Sequence, residues 1–253
     1  IGAAILAIGL GVLAWALSQI GPDKAGASRG MIAVAVVLGI AALVAYALWE
    51  RVSPSPMTPP RLIDNRPFVG LNLATLLIYT GLSIMFFSLS FDLVDRRGLT
   101  PTGAGLAFLP FTLAMGFLSQ PFGALADKIG ARRLLIVGPL GAGFALLLLA
   151  LGKNASLTLG VLAPMLLLGI SFALVVAPLT ASVMSSVANS DEGLASGINN
   201  AMSRIAQLAG IAFSAGIASF ASGYRAGLIV AATCAVAGAA IIAVMLPAPA
   251  RRR

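Results

Sequence analysis

The stretch Gly123-Ala124-Leu125-Ala126-Asp127-Lys128-Ile129-Gly130-Ala131-Arg132-Arg133 lies between two long apolar runs and decides how the chain folds. Apolar runs of this length are expected to cross a bilayer, so the charges between them are expected in a short loop outside it. Gly130 can take the positive φ that a tight reversal needs. Asp127 is expected to accept backbone N–H groups at the start of the following helix. The basic residues Lys128, Arg132 and Arg133 predict a cytoplasmic loop.

The composition is that of an integral membrane protein. Of 253 residues, 59% are hydrophobic and 9% are charged, and the mean hydropathy is +1.02. A soluble domain of this size needs far more charge to cover its surface. The net charge of +8 does not indicate nucleic-acid binding, because the basic residues stand at the ends of apolar runs. The sequence has no histidine and Cys234 is its one cysteine, so we expect no disulfide, metal site or cofactor.

Eight runs are long enough to span a bilayer core of about 30 Å. They cover roughly residues 2–20, 31–49, 68–92, 102–123, 134–152, 157–186, 193–220 and 224–246. The predicted fold class is therefore all-α, a polytopic membrane protein with eight transmembrane helices. We expect four parts: two helices in 1–52, a proline-rich cytoplasmic linker in 53–67 that is extended over 53–60, a six-helix bundle in 68–247 and a basic tail in 248–253.

Eight crossings place both ends of the chain on one side of the membrane. Assigning that side to the cytoplasm puts nine basic residues inside, namely Arg51, Arg61, Arg66, Lys128, Arg132, Arg133 and Arg251 to Arg253. Six lie outside, namely Lys24, Arg29, Arg96, Arg97, Lys153 and Arg225. This excess predicts the orientation. The chain opens at Ile1 inside an apolar run, which suggests a piece of a longer protein.

The spacing G-x-x-x-D-[RK]-x-G-x-R-[RK] in residues 123–133 resembles the loop signature of the major facilitator superfamily. Asn65-Arg66-Pro67-Phe68-Val69-Gly70-Leu71-Asn72 resembles the start of the second half in that superfamily's multidrug exporters. Ala177-Pro178-Leu179-Thr180, followed by Gly193-Leu194-Ala195-Ser196-Gly197-Ile198-Asn199-Asn200-Ala201-Met202-Ser203-Arg204, resembles their later helices. The first two spans are similar to the extra central pair of the fourteen-helix drug:proton antiporters. On that basis the chain holds the central pair and the carboxyl-terminal six helices, without the amino-terminal six.

One glycine-rich segment departs from the family's pattern. Gly138-Pro139-Leu140-Gly141-Ala142-Gly143 is similar to an antiporter signature that the family carries in its amino-terminal half. In this position we interpret it as a closely packed start of a helix.

The resemblance implies a secondary active transporter of the plasma (cell inner) membrane that exports lipophilic or cationic small molecules by alternating access. The implied partners are a small-molecule substrate, the lipid bilayer and the missing amino-terminal half, with protons as a candidate coupling ion. The implied cytoplasmic latch consists of Gly123, Asp127, Lys128, Gly130, Arg132 and Arg133. The alternatives are a metabolite or sugar carrier of the same superfamily, or a truncated membrane protein that transports nothing. No nucleophile–base spacing points to an enzyme.

A polar stripe in the seventh span is the best candidate for the translocation path. It consists of Ser196, Asn199, Asn200, Ser203, Arg204 and Gln207, which recur at helical spacing. Arg204 follows Glu192 by 12 residues, or about 18 Å of helix, which is near mid-membrane. Such a stripe faces either a water-filled cavity or a neighbouring helix. We favour the cavity, because a cation and two amides exceed what helix packing needs.

Asp92 is a candidate acid at the outer mouth. It follows Phe68 by 24 residues, or about 36 Å of helix, which exceeds the bilayer core. We therefore expect a solvated interfacial carboxylate, with proton carriage as the alternative. No acid falls in the middle of any span, so a coupling acid is expected in the missing half.

Overall fold

The computed structural model describes residues 2–19, 28–52, 60–218 and 223–247, and these residues are almost entirely helical, with no strand among them. The helices are α1 (Gly2–Ser18), α2 (Arg29–Val52), α3 (Pro60–Ile63), α4 (Arg66–Phe91), α5 (Pro101–Leu106), α6 (Leu109–Ile129), α7 (Ala131–Leu151), α8 (Ala163–Ser185), α9 (Glu192–Ala218) and α10 (Gly223–Met245). One π-helical segment, Asp92–Arg96, extends α4, and another, Thr158–Leu162, precedes α8. The prediction of an all-α, polytopic membrane protein is confirmed.

Five helical segments of the described chain are long and apolar enough to cross a membrane. They are Arg66–Arg96, Pro101–Ile129, Ala131–Leu151, Thr158–Ser185 and Gly223–Met245. The other three predicted spans are also helical: α1 has 17 residues, α2 contains the apolar stretch Gly30–Tyr46, and α9 carries the polar stripe.

The linker and the tail fall largely outside the described residues, namely 53–59 and 248–253. At the described end of the linker, Pro60–Ile63 forms one helical turn, α3, and of the segment expected to be extended, 53–60, only Pro60 is described, as the first residue of this turn. Proline is tolerated in the first turn of a helix, where its missing N–H leaves no hydrogen bond unmade.

The last six long helices form one bundle in which contacts follow the order α9, α4, α10, α7, α8, α6. Helices α1 and α2 pack on each other as a hairpin, and α1 also touches α9. The core of the bundle holds fully buried Leu, Ile and Met side chains, including Leu71, Ile84, Leu146 and Met165. Since lipid is as apolar as these side chains, close packing rather than water exclusion holds the helices together.

The glycine-rich segment Gly138-Pro139-Leu140-Gly141-Ala142-Gly143 is closely packed, as interpreted, but it lies in the middle of α7 and not at the start of a helix. A Cβ added at Gly138 would lie 2.5 Å from Cγ2 of Val175 on α8, and one at Gly143 would lie 2.9 Å from Cγ2 of Val236 on α10. Helix α7 is therefore held between α8 and α10 at distances that only glycine permits. It continues through Pro139 without ending.

Aromatic side chains join three helices of the core. The ring of Tyr79 on α4 meets Phe172 on α8 edge to face, with 6.5 Å between centroids. Phe172 in turn meets Phe111 on α6 at 5.8 Å, and Phe111 returns to Phe86 on α4 at 5.5 Å. Edge-to-face pairs stabilise by about 0.5–1.5 kcal/mol beyond their buried area. This aromatic cluster fixes α4, which carries one side of the site described next.

Candidate functional site

The polar stripe of α9 contacts α4 through one amide. Asn199 Nδ2 donates to Oδ1 of Asn72 at 3.2 Å and to Oγ1 of Thr75 at 2.9 Å. Asn72 and Thr75 are buried, and their own donors bond to the carbonyls of Phe68 and Leu71. A buried polar group costs about 1–3 kcal/mol if it is left unpaired, so this fully bonded set specifies how α4 and α9 align. Asn199 therefore serves helix packing.

A second contact fixes the same pair of helices farther along. Ser83 Oγ donates to the carbonyl of Gln207 at 2.8 Å, and Thr80 Oγ1, whose nearer acceptor is the carbonyl of Leu76 at 2.7 Å, lies 3.2 Å from that of Ala206. The backbones come very close here, because a Cβ added at Gly210 would lie 2.7 Å from the carbonyl oxygen of Thr80. The register of α9 along α4 is thus set at two levels.

This register determines the depth of Arg204. The residue stands between the two contacts, and the levels of Thr75 and Thr80 bracket the middle of α4, Arg66–Phe91. Helix α9 begins at Glu192, as the depth estimate assumed, so Arg204 lies about 18 Å inside the helix. Its side chain is exposed and makes no hydrogen bond or ion pair with any residue in the described ranges.

The face that carries Arg204 does not resemble a surface for lipid. Gly193, Gly197, Asn200 and Arg204 are exposed at intervals of four, three and four residues. A Cβ added at Gly193 or Gly197 would meet nothing within 4 Å. Helix α2, by contrast, exposes Val, Leu and Ile side chains, as a lipid-facing helix does. A cation on a lipid-facing surface at mid-membrane costs about 2.5–3.5 kcal/mol on insertion scales, so this small, polar face is suited to water or to another part of a protein.

The other stripe residues divide between these two environments. Asn200 is exposed, and its carbonyl accepts from Ser203 Oγ at 2.8 Å. Ser196, Ser203 and Gln207 are half-buried at the edge of the α4 contact. Sequence reasoning missed the α4 partners Asn72 and Thr75. Their signal was two polar residues three apart in a largely apolar helix, which places both on one face.

The segment around Gly130 corrects the prediction of a loop. Helix α6 runs to Ile129 and α7 begins at Ala131, so only Gly130, with φ 90°, separates them. The prediction of positive φ at Gly130 is confirmed. Asp127 lies in the last turn of α6, and the described chain gives α7 no side-chain cap, so the expected capping role was wrong. Gly123 was an unreliable helix end, because the following Ala-Leu-Ala continues the helix.

The charges of this segment have different environments. Asp127, Lys128 and Arg133 are exposed. Arg132 bonds to the end of α10, where its Nη2 donates to the carbonyl of Ala243 at 2.7 Å and its Nε to that of Leu246 at 3.0 Å. A cation suits a helix C-terminus, whose last carbonyls lack partners within the helix. Gly123 is half-buried on α6.

Asp92 is buried, which corrects the expectation of a solvated acid. Its side chain is 2% exposed in the π-helical segment that ends α4. Arg96 binds both of its oxygens, and Arg97 Nε binds Oδ2 at 3.1 Å. Arg97 also donates to the carbonyls of Ala155 and Gly152 between α7 and α8. The distance estimate failed because it assumed that a helix leaving the bilayer core meets water, whereas two arginines and a neighbouring loop cover this carboxylate.

An ion pair that sequence reasoning missed fastens α3 to the α8–α9 connection. Arg61 Nη2 donates to Oδ1 of Asp191 at 2.7 Å and Nε to Oδ2 at 2.9 Å. This hydrogen bond is the main cause that lowers the pKa of Asp191, against the opposing effect of burial. Nearby, Asn65 Oδ1 accepts from the N–H of Phe68 to cap α4, while its Nδ2 donates to the carbonyl of Ser186 at 2.6 Å. An open cavity of about 380 Å³ lies between these two contacts.

Comparison with known proteins gives a consistent set of relatives. The family described as the Major Facilitator Superfamily matches residues 71–253. The chain is 29% identical over 246 residues to a lincomycin resistance protein of Streptomyces lincolnensis, covering 95% of this chain and 50% of the relative. It is 35% identical over 206 residues to the cephamycin export protein CmcT of Amycolatopsis lactamdurans, covering 79% and 41%.

A third relative is the multidrug resistance protein Stp of Mycobacterium tuberculosis, which is 31% identical over 215 residues. That match covers 83% of this chain and 39% of the relative. The chain thus spans half or less of the length of these curated relatives.

Proposed function

Because the chain belongs to the Major Facilitator Superfamily, we propose that it is part of a secondary active transporter that exports small organic molecules by alternating access. The observation that carries the proposal is the exposed Arg204 near the middle of α9, on a face of small and polar residues. A mid-membrane cation is expensive in lipid and is usually functional. The names of the relatives, which refer to antibiotic resistance and export, support a role in efflux rather than an enzymatic one.

In this proposal the exposed face of α9 lines the path of the transported molecule. Asn200 and Arg204 contact the path directly, and Ser196, Ser203 and Gln207 stand at its edge. Asn199 holds the face in place through Asn72 and Thr75. The remaining wall of the path comes from an amino-terminal half of the protein, in keeping with relatives that are about twice as long as this chain.

The segment around Gly130 acts as the cytoplasmic latch. Asp127, Lys128 and Arg133 are free to form charge contacts in one conformational state and to break them in the other. Arg132 anchors α7 to α10 and moves with the bundle. A charge-assisted contact made in only one state biases that state by about 1.5–3 kcal/mol, or roughly tenfold or more. We place this segment, and both ends of the chain, on the cytoplasmic side of the plasma membrane.

Asp92 is not a proton carrier in this proposal. Two arginines bind its carboxylate, whose side chain is buried away from water. If protons drive transport, the acid that carries them lies outside this chain's helix interiors. The remaining acids, such as Asp127 and Glu192, stand at helix ends.

The proposal is tested with intact, energised cells that express the full-length protein. They should expel at least one compound from a panel of antibiotics faster than vector controls, and an uncoupler should abolish the difference. Asp127→Asn should slow this efflux severely at normal expression, whereas Asp64→Asn, an exposed acid before α4, should not. Failure to expel any compound would contradict the role as a transporter. Equal efflux by both variants would contradict the role of Asp127 in the latch.

A further inference from the structure

The charge of the proposed path is positive and uncompensated. The sequence has eight acidic residues, and none of the seven that the structure describes stands in the middle of a helix. Asp64 lies between α3 and α4, Glu50 near the end of α2, Asp92 and Asp95 at the end of α4, Asp127 in the last turn of α6, and Asp191 and Glu192 at the start of α9; the eighth, Asp23, is outside the described residues.

The acids nearest to the interior of a span are either paired with another arginine or far from Arg204. Asp92 is enclosed by Arg96 and Arg97. Asp191 is held by Arg61. Glu192 begins the same helix as Arg204 but lies about 18 Å away along it. Within the described part of the chain, therefore, no acidic side chain acts as a counter-ion for the exposed Arg204.

The surroundings of Arg204 favour a ligand that brings the missing negative charge. A guanidinium presents five donors in a planar fork that matches a carboxylate or a similar oxyanion. Asn200, one turn away on the same exposed face, adds an amide that can donate a further hydrogen bond. Gly193 and Gly197 leave open space beside the helix on the cytoplasmic side of these groups, where a bulky apolar body can lie.

We propose that Arg204 binds an acidic group of the transported molecule, so that the protein selects small organic anions with an apolar body. This inference rests on the proposed function and narrows it to a substrate class. It runs against the cationic substrates that the family resemblance suggested. A cation would be repelled by Arg204 and would find no acid at the same depth in the described helices.

Binding of three matched fluorescent probes to the purified full-length protein tests the inference. The probes are dansylleucine, which carries a carboxylate, dansylleucinamide, which is neutral, and dansylcadaverine, which is cationic. Dansylleucine should bind about tenfold or more tightly than the amide, as expected for a charge-assisted contact. The preference should fall as ionic strength rises.

Variants assign the preference to the residue. Arg204→Gln should reduce the affinity for dansylleucine to that for the amide and leave the amide within about twofold. Arg204→Lys should keep much of the preference, and Arg225→Gln, which removes an exposed arginine at the start of α10, should keep all of it. The salt dependence of the unaltered protein provides an independent test if Arg204→Gln does not fold.

Three results would overturn the inference: no preference for the acid in the unaltered protein, an unchanged preference in Arg204→Gln, or an equal loss for all three probes. The last result would mean that Arg204 pairs with a fixed acid elsewhere in the protein. Energised uptake of the same probes into everted vesicles separates the two proposals. Arg204-dependent binding without uptake would contradict transport alone, and uptake without acid preference would contradict this inference alone.

Discussion

Asp92 gives the most direct test of the structure, because replacing it removes one side of a buried charge cluster. The carboxylate is 2% exposed and accepts three charge-assisted hydrogen bonds, two from Arg96 and one from Arg97. Asp92→Asn keeps the size of the side chain and removes its charge. Asp95→Asn is the matched control, because Asp95 lies in the same π-helical segment and is exposed.

The expected loss of folding free energy depends on the contacts that Arg96 and Arg97 retain in Asp92→Asn. Breaking a buried ion pair costs about 3–5 kcal/mol when one charge is left without compensation. The Arg96 side chain is 35% exposed and can turn towards water, while Arg97 is 12% exposed and retains the carbonyls of Ala155 and Gly152. Both facts place the cost at the low end, about 3 kcal/mol. For a protein of this size that corresponds to a fall in Tm of about 6–12 °C.

Thermal unfolding of the purified protein in one detergent measures this difference. Asp95→Asn should change Tm by no more than about 2 °C, as expected for an exposed site. Asp92→Asn should lower Tm by about 6–12 °C and change the transport rate per folded molecule only slightly. Equal Tm values for the two variants would refute the buried cluster. A normal Tm with abolished proton-coupled transport would instead make Asp92 the proton carrier.

Three further predictions concern the opposite end of the bundle. Arg132→Ala should destabilise the protein by about 1–2 kcal/mol, because it removes the side-chain donors to the carbonyls of Ala243 and Leu246, while Arg133→Ala should be nearly neutral in the same thermal assay. Asp191→Asn should lower the protection of the backbone amides of residues 61–65 against hydrogen exchange at pH 5. In the unaltered protein the pairing with Arg61 lowers the pKa of Asp191 below its ordinary value of 3.8, so the same loss of amide protection should begin only as the pH falls below about 4. Equal protection of these amides in both proteins at pH 5 would contradict the contact. A cysteine in place of Lys128 should react with an impermeant thiol reagent only from the cytoplasm, and labelling of intact cells from outside would reverse the proposed orientation.

The sequence predicted the helices well because each is a long apolar run, and it predicted their ends less well. The end of α6 shows why. The predicted span ends at Gly123, but a single glycine costs only about 1 kcal/mol in a helix, and the residues after it continue the helix. The actual break is Gly130, where φ is positive and a side chain would be strained.

The candidate site was predictable as a set of residue types but not as a set of contacts. The stripe on α9 followed from helical periodicity, whereas the assignment of Asn199 to packing required the register between α4 and α9. The ion pair between Arg61 and Asp191 joins residues 130 positions apart and leaves no local pattern. Asp92 carried a local signal, since Arg96 follows it at the four-residue spacing that brings side chains together on a helix.

The polar face of α9 also bears on how the chain enters the membrane during synthesis. An arginine near the centre of a helix adds about 2.5–3.5 kcal/mol to its insertion free energy, and the asparagines nearby add more. Helix α9 is therefore a poor insertion signal by itself, unlike α8 before it and α10 after it. We expect it to remain at the water-filled insertion channel until α4 accepts its hydrogen bonds and α10 follows it across. A chain that stops before Gly223 should leave α9 outside the bilayer, with its amides and its arginine in water.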